Sequence, residues 1–157
     1  VESFYFEAML ECMKKWSHPT NGPFPGFVQV KFEKGPLSFI DYWTKDEGAT
    51  KISGSSYIIY KTPEEIYPIW YMSYSGKYPK EVFDVLREAL YESYIRKEFN
   101  GGRGQSSMIS GTYEYWNVAT ANSFILFEGI EKIIRRIPDK IVLGQHEYRG
   151  GMLRDIV

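Results

Sequence analysis

Pro68-Ile69-Trp70-Tyr71-Met72-Ser73-Tyr74-Ser75-Gly76 is the stretch whose reading decides the fold. Ile69, Tyr71 and Ser73 alternate with Trp70, Met72 and Tyr74, the two-residue period of a strand that carries large side chains on both faces. Ile, Tyr and Trp also favour the pleated sheet. Directly after Pro79 the period changes. Val82, Leu86, Ala89 and Leu90 form one helical stripe, widened by Phe83 and Tyr94, with Pro79 in front and Asn100-Gly101-Gly102 behind as start and stop signals. A strand that feeds a long helix through a short Gly/Pro turn is the hub of an α+β core.

Working outward toward the N-terminus, Thr62-Pro63-Glu64-Glu65 turns the chain into the hub strand. Lys51–Lys61 and Leu37–Thr44 read as its antiparallel predecessors, joined through Lys45-Asp46-Glu47-Gly48. Gly54-Ser55-Ser56 marks a bulge or a close backbone approach. Phe27–Phe32 reads as a further short strand. The Thr20–Gly26 segment is turn chemistry, and Phe6, Met9, Met13 and Trp16 place an amphipathic helix before it that ends at Ser17-His18-Pro19. Beyond the central helix, Arg103–Gly111 reads as a mobile polar loop. Strands resume over 112–118, 123–135 and 141–148, with Ile137-Pro138-Asp139-Lys140 as the last turn.

The chain has 157 residues, 19 basic and 20 acidic side chains and a net charge of -1, so no strong field calls for nucleic acid or an anionic membrane. One cysteine, Cys12, leaves no intramolecular disulfide and fits a reducing compartment. No apolar run reaches the length of a membrane span. The aromatic load is high, with 13 Tyr, 10 Phe and 4 Trp, which suits half-buried strands or a pocket lining.

An internal echo links the two halves. Asp41-Tyr42-Trp43 is matched by Glu114-Tyr115-Trp116, Ile52-Ser53-Gly54 by Phe127-Glu128-Gly129, and Tyr74-Ser75-Gly76 by Tyr148-Arg149-Gly150. Two similar meanders joined by the central helix would produce it.

Trp70, Met72, Tyr74 and Gly76, then Phe127, Gly129 and Glu131, then Tyr148, Gly150 and Gly151 form three ordered motifs: Trp-x-Met-x-Tyr-x-Gly, Phe-x-Gly-x-Glu and Tyr-x-Gly-Gly. With them the chain resembles, over about Leu37–Leu153, a bacterial domain family of unknown function. That family occurs alone or behind XRE-type helix-turn-helix domains. The resemblance implies a bacterial, cytoplasmic sensing or interaction module and brings no activity. The chain departs from the family pattern near Ser56, where an acidic residue is expected.

Few residues carry chemistry. His146 and Tyr148 share one face of a short strand, and Glu147 and Arg149 the other. His146 is a weak candidate for acid/base work with Glu131 or a tyrosine; the plainer reading is an edge-strand histidine partly in water. Glu128 and Glu131 flank Gly129 as candidate paired carboxylates, but they lie on opposite faces of a regular strand and would need a bulge to act together; the plainer reading is salt-bridging to Lys132, Arg135 or Lys140. Gly101-Gly102-Arg103-Gly104 invites an anion but follows a helix instead of opening one. His18 reads as exposed, and no metal-ligand spacing is present.

These readings converge on a single α+β domain over residues 1–157, with an N-terminal helix and loop over 1–36 and the core over 37–153. A twisted antiparallel sheet of about six strands, in two three-stranded meanders, carries the long helix on one face. The ligand-binding expectation is a pocket formed by Trp70, Tyr74, Tyr115, Trp116, Tyr148 and His146. The expected role is a small-ligand-binding sensory or accessory module without its own DNA-binding motif, not an enzyme, with no cofactor and no metal. The alternatives are a small enzyme using His146, and a protein-interaction or dimerisation domain. Expected partners are a small molecule, a second copy or a regulatory protein, not nucleic acid or membrane.

Overall fold

A computed structural model describes residues 1–45 and 47–155. The hub stretch lies in β5 (Ile66–Lys77), which pairs on one side with β4 (Ile52–Lys61) and on the other with β9 (Ile141–Met152). Beyond β4 come β3 (Leu37–Thr44), β2 (Phe27–Lys34) and the two-residue β1 (Thr20–Asn21). Beyond β9 come β8 (Leu126–Arg135), β7 (Tyr113–Asn122) and β6 (Ser107–Ser110). Among the described residues this is one open, nine-stranded antiparallel sheet, not six strands, built from a five-stranded and a four-stranded meander. The added strands include the short edges β1 and β6, too brief to carry a period that could be read in advance.

All layers lie on one side. Helix α1 (Glu2–Met13) packs on β2 and β3, and α2 (Phe83–Arg96), entered through a 3-10 turn at Lys80–Val82, packs on α1 and β7. Alternation along β5 sends Trp70 and Met72 into the covered face, where they meet Tyr5, Phe39, Phe124 and Phe127. Trp70 is fully buried, stacks on Phe124 and Phe127, and donates its indole N–H to the Phe124 carbonyl at 3.2 Å. A second apolar cluster, Tyr78, Val82, Val85, Ala89, Tyr115 and Ile133, seats α2 on the other half. Among the described residues the opposite face of the sheet carries no layer.

The echo is real in three dimensions, with one correction. Tyr74 pairs with Tyr148, while Met72 pairs with Gly150 and Gly76 with His146, the register of two halves related by a two-fold axis through the sheet between β5 and β9. Gly54 faces Tyr74 and Gly129 faces Tyr148 in matching places. The counterpart of Asp41, however, is Asn117 and not Glu114, because Asp41 pairs with Ser56 as Asn117 pairs with Glu131. The β4–β5 register shifts at Ile58/Ile59 rather than at the Gly54-Ser55-Ser56 run. Gly54 instead serves a close approach: a Cβ there would collide with the Tyr74 ring.

Two further expectations are corrected. The segment after α2 is not a mobile loop, since Gly101, Gly102, Arg103 and Gly104 are buried beneath the helices and β6 follows at once. Lys97 ends α2 in the left-handed region, and Gly101 and Gly102 adopt φ of 63° and 71°, which turns the chain inward where side chains with a Cβ would strain. The turn expected at Lys45-Asp46-Glu47-Gly48 includes Asp46, which lies outside the described residues.

Candidate functional site: a buried polar cluster backed by an open groove

On the covered face, the inward phase of six strands and the buried loop place polar groups where an apolar core would otherwise continue. Glu131, on β8, is fully buried. Its carboxylate accepts from the Arg103 guanidinium, in a very short contact, and from the Tyr115 hydroxyl at 2.6 Å. His146, next to it on β9, brings Nδ1 to 3.3 Å from Glu131 Oε1, but the direction is wrong for a hydrogen bond, and neither ring nitrogen has a partner among the described residues. The His146 ring lies 4.7 Å from the Tyr78 ring and stacks at 5.8 Å on Tyr74.

Each half contributes an equivalent hydroxyl bridge. Tyr74 passes over Gly54 and donates to Asp41 Oδ1 at 3.0 Å, and Ser56 donates to the same oxygen at 2.9 Å. Tyr148 passes over Gly129 and donates to Asn117 Oδ1 at 2.6 Å, while the Asn117 amide donates to the carbonyls of Asn100 and Gly104. The Gly102 carbonyl accepts from both Tyr5 and Tyr94, and the Gly104 N–H donates to Tyr115. The buried loop is thereby fastened at nearly every peptide.

The electrostatics differ between the halves. Burial works against the Glu131 charge, but the Arg103 guanidinium beside it, helped by His146, holds its carboxyl down at about 2. Asp41 has no cation in contact: burial pushes it up to about 6, against the Ser56 and Tyr74 hydrogen bonds. Burial, then the Glu131 carboxylate, raises the Tyr78 and Tyr115 hydroxyls. Burial also pushes the Cys12 thiol up to about 12, so it is an inert core group.

The cluster gathers Tyr74, Tyr115, Tyr148, His146 and Glu131 of the expected site residues. It does not gather Trp70, which sits deeper in the apolar core, or Trp116, which lies on the uncovered face with Lys132 over its ring at 5.6 Å. His146 is on a central strand and 8 % exposed, not at an edge in water. Glu131 pairs with Arg103, not with Lys132, Arg135 or Lys140. Sequence reasoning misses Asn117 and Tyr78; it reaches Arg103 only as an anion contact in a loop and Asp41 only as part of the internal echo, neither as a member of a buried cluster. Asp41 alone left a signal, an acid two residues after Phe39 on the inward phase of a strand. Arg103 sits in a loop, where no period marks the inward side.

Directly behind the cluster, the uncovered face holds an open groove of about 400 Å³ at the seam of the two halves. Ser53, Ser73 and Ser75 line one side, and Glu128, Ile130, Glu147 and Arg149 the other, with Tyr74, Gly129 and Tyr148 between. Thr120 donates to the Glu128 carboxylate at 3.2 Å. Arg149 and Glu147 make no ion pair or side-chain hydrogen bond among the described residues.

The family model for DUF5680, described as a domain of unknown function, matches residues 25–153. The chain belongs to this DUF5680 family. No curated protein and no solved structure matches it. The DUF5680 match covers every strand except β1 and includes both the cluster and the groove. Among the described residues no helix is long and apolar enough to cross a membrane, and no group of three or more His, Cys, Asp or Glu is placed to hold a metal.

Proposed function

We propose that this DUF5680 domain is a small-ligand-binding sensory or accessory module of a bacterial cytoplasmic protein, with its ligand seated in the groove on the uncovered face. One observation carries the reading. The groove lies on the seam between two pseudo-symmetric halves, has the volume of a small-molecule site, and is backed by a hydrogen-bonded polar core. A ligand spanning β4, β5, β9 and β8 touches both halves at once, which is the arrangement a sensor needs to bias their relation.

A thermal-shift screen of the whole chain against metabolites and nucleotides tests it, repeated with Ser75→Trp, which fills the groove from the solvent side without entering the core. A ligand at a hundred times its Kd adds about 2.7 kcal/mol of apparent stability. The reading requires hits that Ser75→Trp removes while the free protein stays folded. Hits indifferent to Ser75→Trp, or none, contradict it.

A second reading, a small enzyme using His146 with Glu131, is favoured by the 3.3 Å approach of Nδ1 to the carboxylate. It requires turnover of a hit that His146→Ala abolishes; binding without any turnover by the wild-type chain counts against it.

A further inference from the structure

The two-fold relation that pairs the halves is broken on the uncovered face, and the break points to a ligand class. The axis that exchanges Tyr74 with Tyr148 places Ser73 in correspondence with Glu147, and Ser75 with Arg149. One wall of the groove is therefore neutral hydroxyl and the other charged. On the neutral wall four serines form a block, Ser53 paired with Ser75 and Ser55 with Ser73, bordered two residues further along by the Tyr57–Tyr71 pair. These smallest polar side chains leave the depression that the neighbouring tyrosines would fill.

On the charged wall, Arg149 faces Ser73 on one side and Glu128 on the other. Opposite charges in direct cross-strand register ordinarily pair. Here Glu128 is held by Thr120, and Arg149 has no ion-pair or side-chain hydrogen-bond partner among the described residues. Glu147, two residues along the same face, faces Ser75 and Ile130 and likewise has no ion pair among the described residues. One guanidinium and one carboxylate, both exposed and neither committed to an ion pair among the described residues, thus stand on one wall of the groove opposite the serine hydroxyls. Both are open to the charges of a ligand.

Resting on the groove reading above, we propose that the ligand is a small zwitterion of the amino-acid type. Its carboxylate is taken by Arg149, its ammonium by Glu147, and its polar remainder lies over Ser53, Ser73 and Ser75. Guanidinium suits a carboxylate because its planar fork donates two parallel hydrogen bonds. The serine hydroxyls donate and accept, so the floor favours a hydroxyl or amide side chain over an aliphatic one.

The test uses the whole chain and isothermal titration with a defined panel: L-serine, L-threonine, L-asparagine and L-glutamine, the amines that lack the carboxylate, and the acids that lack the ammonium. At least one zwitterion binds, and deleting either charge weakens it about tenfold or more, the worth of one charged hydrogen bond. Arg149→Gln abolishes the preference for the zwitterion over the amine, and Glu147→Gln abolishes the preference over the acid. Binding of singly charged or neutral compounds as tight as that of any zwitterion overturns the ligand class. If such binding is still lost in Ser75→Trp, the groove survives and only the class fails. If the whole panel fails to bind, the class is overturned, and the wider screen with Ser75→Trp then decides separately whether the groove reading falls too.

Discussion

Tyr74 and Tyr148 are cross-strand partners at the seam of the sheet, and each reaches over a glycine of its own half to donate its hydroxyl to a side chain two strands away, Asp41 or Asn117. The duplicated device fixes the two central strands to the outer meanders. It also fixes the shape of the groove behind them, because the same two tyrosines lie between the groove walls.

The glycines beneath the tyrosines are the first test of this device. The nearest atoms to a Cβ at Gly54 all belong to the Tyr74 side chain, whereas one at Gly129 would meet both the Tyr148 ring and the Val118 carbonyl. Each Gly→Ala change is expected to cost about 1–3 kcal/mol or more by overpacking. Tyr74→Ala partly rescues Gly54→Ala, but Tyr148→Ala does not rescue Gly129→Ala, since the backbone clash remains. Urea denaturation of the four single and two double variants measures it, and equal rescue in both halves is the contrary result.

Asp41 makes stability fall as pH rises. Its carboxyl titrates near 6 in the fold, above the range of an ordinary carboxylic acid in the unfolded chain. The unfolded state therefore releases its proton first. The contribution is complete below about pH 4 and is lost progressively up to about pH 6, by about 3 kcal/mol. Asp41→Asn, which copies Asn117 in the other half, flattens that part of a melting-temperature profile. An unchanged slope between pH 4 and 6 would show that Asp41 ionises freely in the fold.

Glu131 acts in the opposite direction. Its folded value of about 2 lies below that of a free glutamate, so the stability it contributes is present above about pH 4.5 and disappears as pH falls toward 2. Removing it leaves Arg103 charged and buried. Glu131→Ala is expected to cost about 3–5 kcal/mol, and Glu131→Leu with Arg103→Met much less than the sum of the two single changes. Additive losses in a double-mutant cycle would mean that the two side chains are not a functional pair.

Much of this architecture was legible in the chain. The alternation of Pro68–Gly76 placed Trp70, Met72 and Tyr74 on one face, the stripe after Pro79 placed α2, and the Gly54/Gly129 and Tyr74/Tyr148 echoes anticipated the duplication. The proximity of His146, Glu131 and Tyr148 followed from those elements. The edge strands did not, because two residues of β1 and four of β6 carry no period. Arg103 reads from the sequence as an exposed anion contact because polarity and glycines in a loop ordinarily mean exposure, but here the glycines let the loop dive under the helices, where tyrosine hydroxyls satisfy its backbone and Arg103 meets Glu131. The aromatic residues read from the sequence as one pocket lining, yet strand alternation sends Trp70 and Trp116 to opposite faces. The open groove is lined mainly by serines and charged residues that composition alone does not distinguish from an ordinary solvated face.

The ligand's seat is tested most directly by amide chemical-shift mapping of the isotopically labelled chain during titration with the tightest-binding compound of the screen. Binding in the groove shifts Ser53, Ser73, Ser75, Glu147 and Arg149 together, with smaller changes at Tyr74 and Tyr148. Shifts confined to the buried cluster around Arg103, Glu131 and His146, or to the α1–α2 surface, with the five groove residues unmoved, would contradict it.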